Sequence, residues 1–167
     1  MYISDDGVNL IIKWEGLSNT AYKDIVGIPT IGVGFTYYLQ GYQIIRGGTT
    51  ILTSENDKVR MGDYMHTPEI MAMFRVLVHE IYGLPVHKLI KVPISQYQYD
   101  VLVSLAYNIG VKAFSKSTLL GLLNQGNYDA AREQLLRWDR AGGAVSKGLT
   151  NRRKDEYAYW ARPHRLV

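Results

Sequence analysis

The sequence predicts an α+β fold: a small antiparallel β-lobe inserted after a first helix, and a larger helical lobe joined to it by a long helix. Three observations predict it. An apolar, helix-like run from about Ser4 to Glu15 gives way at Gly16 to a stretch, ending at Phe35, that mixes turn residues with β-branched ones. Two further β-branched runs, Tyr42 to Arg46 and Thr49 to Thr53, are separated only by Gly47-Gly48. From Thr67 onward, helix starts and helically spaced apolar residues succeed one another almost to the end of the chain. All 167 residues are expected to form one domain: an N-terminal helix (about 4–15), a β-lobe (about 16–66), and a linking helix with the helical lobe (about 67–167).

The first helix is read from about Asp5 to Glu15. Ser4 or Asp5 serves as N-cap, Val8, Ile11 and Ile12 form one apolar face, and Gly16 is the stop. Ile25, Val26, Thr30, Ile31 and Val33, punctuated by Gly27, Pro29, Gly32 and Gly34, suit a short, tightly turned ribbon. A Gly-Gly link supplies two positions that take positive φ, so residues 42–53 read as a hairpin. Ser54 to His66 is polar and irregular, and residues 37–66 together read as an enlarged β-lobe.

Thr67-Pro68-Glu69 gives an N-cap, a first-position proline and an early acid. Ile70, Phe74, Leu77, Val78 and Ile81 continue that helix until Gly83 ends it. Leu84 to Val92 is expected to be less regular, broken by Pro85 and Pro93. Ser95 and Gln98 form a capping-box pattern opening a helix with Val101, Leu102, Leu105, Ala106 and Ile109 as its core stripe. Shorter helices are read over Ser117–Gln125, Tyr128–Arg137 and Thr150–Ala161.

The stretch Trp14 to Phe35 also carries chemistry. A carboxyl at a helix C-terminus faces the negative end of the macrodipole, and walling by Trp14 and Leu17 would add desolvation; both act to keep Glu15 protonated. Asp24, on a glycine-punctuated ribbon nearer solvent, is expected to stay ionised. Two carboxyls pushed apart in this way are what glycosidic cleavage uses. An isolated Glu and Asp near a turn are also ordinary solvated surface charges, and the residue types alone leave both readings open.

The order and spacing add a resemblance. Glu15, eight residues, Asp24, five residues, then Thr30-Ile-Gly-Val-Gly closely resembles the catalytic signature of phage-type lysozymes, glycoside hydrolase family 24, and Gly16 and Tyr22-Lys23-Asp24 match it too. Downstream, Ser104-Leu-Ala-Tyr-Asn-Ile-Gly110, Phe114 with Ser117-Thr-Leu-Leu120, Asn124-Gln-Gly126, Trp138, and Gly148-Leu149 with Arg152, Arg153 and Glu156 are similar to the family's later blocks. The resemblance implies a lysozyme-like fold and a metal-independent muramidase, an endolysin, that cleaves the β-1,4 bond between N-acetylmuramic acid and N-acetylglucosamine. It assigns Glu15 as general acid, Asp24 as second carboxylate and Thr30 as the residue that places the attacking water. It places Tyr107 and Asn108 against the saccharide and sets Arg152 behind Glu15 as its pairing partner; Ser117 is read first as a helix N-cap and only secondarily as a saccharide contact. Helix packing and capping are the plainer roles of Tyr107, Asn108 and Ser117, and an exposed helix surface that of Arg152. Many members have His after the second glycine of the signature, where this chain has Phe35, so the ion pair such a His can make is absent. The resemblance favours inversion, which needs carboxyls about 6.5–9.5 Å apart to admit water.

Composition narrows the alternatives. With 47% hydrophobic and 20% charged residues the chain belongs to the folded, water-soluble class. The absence of cysteine excludes disulfides, thiolate zinc sites and cysteine nucleophiles. His66, His79, His87 and His164 form no ligand cluster, and no Gly-x-Ser-x-Gly elbow or phosphate-binding glycine fingerprint is present, so neither metal nor cofactor is expected. No run is long and apolar enough to span a bilayer, and the acidic N-terminus lacks the features of an export signal. The expectation is a monomer made in the host cytoplasm that reaches the wall once the inner membrane is permeabilised, for example by a holin. Residues 132–167 hold nine basic and four acidic side chains, which suits an anionic envelope surface as well as a plainly solvated helix. Two rivals follow: a lytic transglycosylase on the same substrate, against which Asp24 and Thr30 argue, and a non-catalytic wall- or nucleic-acid-binding module, which gives the carboxylate pair no purpose. No nucleic-acid partner is expected.

Overall fold

Helix α1 runs from Asp5 to Glu15, and Ser4 caps it by accepting the Gly7 N–H at 3.1 Å. Gly16 ends it with φ +80°, its N–H returning to the Ile12 carbonyl at 2.8 Å. The computed structural model describes residues 1–162 and divides the chain into two units: residues 12–77, and residues 1–11 together with 78 onward.

The unit of residues 12–77 holds two antiparallel hairpins. In the first, β1 (Ser18–Lys23) pairs with β2 (Pro29–Gly32), setting Tyr22 opposite Thr30 and Lys23 opposite Pro29. In the second, β3 (Gln43–Arg46) pairs with β4 (Thr49–Leu52) across Gly47 and Gly48, which have φ of +58° and +76°, the signs expected of them. The segment 37–66 is paired beyond its named strands: Tyr37 bridges to Lys58, and Tyr64 bridges to both Thr20 and Ile45. It contributes Tyr38, Ile44, Val59 and Met65 to a buried set that also includes Ile31, Phe35, Ile70 and Phe74. Helix α2 covers Thr67–Val78.

One buried carboxylate fastens this segment. Asp63 is 1% exposed and accepts Arg46 Nε at 2.9 Å on one oxygen. Its other oxygen accepts Arg46 Nη2 at 2.9 Å, the Tyr38 hydroxyl at 2.8 Å and the Arg60 N–H at 3.0 Å. Arg46 also reaches Asp57 at 2.9 Å. Burial alone would raise the Asp63 carboxyl, but these donors outweigh it and hold the group below the ordinary carboxylate range.

In the other unit, Asp100 is fully buried and ties the N-terminal residues to helix α4 (Gln96–Ile109). It accepts the Ser4 N–H at 3.0 Å, the Ser4 hydroxyl, the Tyr159 hydroxyl at 2.6 Å and Gln96 Nε2 at 2.8 Å. Gly7 fits against it because a Cβ there would lie 2.6 Å from Asp100 Cγ. The capping box at Ser95 and Gln98 forms as expected, and Val101, Leu102, Leu105 and Ala106 are wholly buried.

Several expectations are corrected. Gly83 does not end the helix begun at Thr67: a π-helical turn over His79–Gly83 follows Val78 and leads into α3 (Leu84–Leu89), with Pro85 in its first turn. The wider turn shifts the phase of the apolar stripe, which leaves Ile81 51% exposed rather than in the core. Helix α5 (Val111–Ser115) was not expected, nor was the short hairpin of β5 (Arg140–Ala141) with β6 (Ala144–Val145). Helices α6 (Thr118–Asn124), α7 (Tyr128–Gln134, extended by a 3₁₀ turn to Arg137) and α8 (Lys147–Trp160) occupy the three remaining helical stretches. α8 begins three residues earlier than the predicted Thr150, capped by Ser146.

Candidate active site

Glu15, Asp24 and Thr30 all lie in the unit of residues 12–77. Asp24 closes β1 and folds its carboxylate over the hairpin tip. Its Oδ1 accepts the Val26 N–H at 2.9 Å and the Ile28 N–H at 2.8 Å, while its own N–H donates to the Ile28 carbonyl at 2.9 Å. This is an Asx-type turn, closed with Gly27 at φ +87°. Asp24 Oδ2 makes no hydrogen bond or ion pair among the described residues. Thr30 is 4% exposed and donates its hydroxyl to the Ile28 carbonyl at 2.9 Å. Ile28 therefore holds both side chains through its main chain. Sequence reading missed this residue because a backbone role leaves no side-chain signature; the Asp-x-x-Gly pattern of residues 24–27 is the signal that could have pointed to it.

Glu15 is the last residue of α1, as expected, but it is exposed. Trp14 and Leu17 are each half-buried and do not wall it off from water, so the predicted desolvation is corrected. Phe35 is buried and packs on Phe74 at a ring-centroid distance of 6.3 Å. An apolar contact thus stands where a histidine would have sought an ionic one. Gly32 makes room for that ring: with φ +65°, a Cβ there would lie 2.5 Å from Phe35.

The other predicted residues lie in the second unit. Tyr107 is half-buried, its ring tilted against Tyr82 at 4.9 Å. Asn108 accepts a hydrogen bond from Arg153 Nη2. Ser117 caps α6, accepting the Leu120 N–H at 3.1 Å and donating to the Phe114 carbonyl at 2.7 Å. Arg152 is 4% exposed, which rules out the exposed-helix reading. It neighbours Arg153 and Glu156, which pair at 2.8 Å. Burial pushes the Glu156 carboxyl up, opposed by the two guanidiniums and the Ser104 hydroxyl, and burial pushes Arg153 down. Of the other basic residues in the C-terminal stretch, Arg162 is exposed over the Tyr159 ring at 4.4 Å, and Arg165 and His164 lie outside the described residues.

No described helix is long and apolar enough to cross a membrane. The family model for phage lysozyme matches residues 12–156. The SAR-endolysin of Escherichia phage Mu is 36% identical over 150 residues, covering 90% of this chain and 75% of that protein. The endolysin of Bacillus phage B103 is 36% identical over 162 residues, covering 93% of this chain; the chain spans 52%, about half, of that relative's length. Among solved structures, a mutant of the phage P22 lysozyme superposes with a TM-score of 0.81 at 32% identity, covering 97% of this chain and 99% of its own.

Proposed function

Because the chain belongs to the phage lysozyme family, we propose that Glu15, Asp24 and Thr30 carry the hydrolysis of peptidoglycan at the β-1,4 bond between N-acetylmuramic acid and N-acetylglucosamine. The observation that supports this assignment best is the coupling of Asp24 and Thr30 through Ile28. One carboxylate oxygen is spent on fixing the turn, which leaves Oδ2 to activate a water. The Thr30 hydroxyl, its proton committed to the Ile28 carbonyl, offers its oxygen as an acceptor that orients that water. Glu15, accessible at the end of α1, protonates the leaving glycosidic oxygen. The water attacks the anomeric carbon as the bond to the leaving oxygen breaks, and the configuration inverts.

Tyr107 and Asn108 are proposed as saccharide contacts, with Ser117 contributing only through what its capping role leaves free, and Arg152 as a supporting charge. The enzyme is proposed to act as a monomer and to reach the wall after the inner membrane has been opened, for example by a holin. Expression alone without prompt lysis, followed by lysis on permeabilisation, is the expected behaviour. The chemistry is tested with Glu15→Gln, which keeps the shape and loses the proton. Its rate on purified walls should fall about 10²–10⁴-fold with the thermal transition unchanged. A variant that clears walls at the native rate removes Glu15 from the reaction.

A further inference from the structure

We infer that a pocket lined by Ile28, Pro29, Thr36, Tyr37, Lys58 and Val59 binds the peptide stem of the substrate, with an aliphatic side chain in the cavity and a carboxylate at Lys58. The inference rests on the proposed peptidoglycan activity. The cavity measures about 300 Å³, at the lower end of small-ligand sites (roughly 300–1,000 Å³). All six lining residues belong to the unit that carries Glu15, Asp24 and Thr30.

Three features point to this ligand. The lining is apolar apart from Thr36, the Tyr37 hydroxyl and one ammonium. Lys58 makes no ion pair among the described residues, and neither does Lys23, which stands opposite Pro29 across the hairpin. Asp57, the acid next to Lys58 in sequence, is engaged elsewhere, held by Arg46 at 2.9 Å. A short peptide rich in aliphatic side chains and free carboxylates satisfies both surfaces, whereas a neutral sugar leaves the lysine unused. Ile25 and Val26, at 101% and 74% exposure on the hairpin tip, offer a protruding apolar surface but no cavity.

The pocket also has a route to the chemistry. Ile28 lines it, and the Ile28 main chain holds both Asp24 and Thr30. A stem seated there fixes the turn that aims the carboxylate, so occupancy should favour cleavage next to peptide-bearing sugars.

The test compares peptide-bearing walls with the same glycan stripped of its peptides by an amidase. Tyr37→Ala and Lys58→Gln, both at exposed positions, should lower kcat/KM on peptide-bearing glycan by about 10-fold and about 3–5-fold, with cleavage of stripped glycan unchanged. Equal loss on both substrates, or loss on neither, overturns the assignment. In parallel, the peptide released by the amidase is titrated into the isotopically labelled chain. Amide shifts at Ile28, Tyr37 and Lys58 that vanish in Lys58→Gln support the site; no shift overturns it. If the native chain cleaves neither glycan, the glycosidase reading fails, and the peptide titration still decides the pocket. Capture by phosphatidylglycerol vesicles without any response to the peptide would give this face to a membrane and overturn the proposal.

Discussion

Replacing Asp63 by Asn tests what the long segment 37–66 contributes. The substitution keeps size and shape but removes the charge and turns one acceptor oxygen into an NH₂ group. That group must face either Arg46 Nε, or the cluster of Arg46 Nη2, the Tyr38 hydroxyl and the Arg60 N–H, all donors. Removing one partner of a buried ion pair costs about 3–5 kcal/mol. Arg46 is 18% exposed and keeps Asp57 at 2.9 Å, which places this case at the lower end, about 3 kcal/mol. For a chain of this size the loss corresponds to a fall in Tm of about 6–12 °C.

The assay is thermal and urea unfolding followed by circular dichroism at neutral pH and again in acid. The Asp63 carboxyl titrates below its ordinary range in the folded state, so its contribution is complete above the unfolded value of about 3.9 and fades as pH falls through the folded one. The gap between native and variant protein should therefore be constant from neutrality down to about pH 4–5 and close below that. A variant within about 0.5 kcal/mol of the native protein, or a gap that persists in strong acid, refutes the reading of Asp63 as the fastener of this segment.

Other expected outcomes follow from the same contacts. Asp24→Asn retains an amide oxygen for the Val26 and Ile28 N–H groups, so it should keep the turn and the Tm while wall hydrolysis, read by turbidity, falls at least about 100-fold. Gly7→Ala should lower stability by about 1–3 kcal/mol by urea denaturation, although alanine is the better helix former, because the new methyl meets the buried Asp100 side chain. Phe35→Ala should cost about 3–5 kcal/mol by removing a buried ring from Phe74, measured by thermal unfolding.

The parts of this structure legible in the sequence are those where a local rule and the fold agree. Ser4, the apolar face of α1 and Gly16 defined the first helix, and the Gly47-Gly48 turn announced its hairpin. The identical signal at Gly142-Gly143 went unread because only two residues flank it on each side, without β-branched rows to suggest strands. The π turn was hidden for a different reason: a local widening of the helix changes the period by which apolar faces are recognised. At the site, the carboxylates and the threonine were legible as residue types in order. The backbone of Ile28 that positions two of them was not, and neither was the exposure of Glu15, which depends on how its neighbours' side chains lie.

The charged C-terminal stretch shows most clearly why composition alone misleads. Arg152, Arg153 and Glu156 count as surface charges in any tally, yet all three are buried in one helix. Such burial is tolerable only where opposite charges and hydrogen bonds meet, and Arg153 makes both kinds of contact, pairing with Glu156 at 2.8 Å and donating to Asn108. The Asn108 contact reaches the end of α4, where Tyr107 is also held by Tyr82. Asn108, a sugar-contact candidate from the sequence, is therefore held by a guanidinium that is itself buried in α8. The positive excess counted along residues 132–167 must be reduced accordingly before it is read as attraction to an anionic envelope. Arg153 fixes the end of α4 through Asn108, and any saccharide contact made by Asn108 depends on the guanidinium behind it.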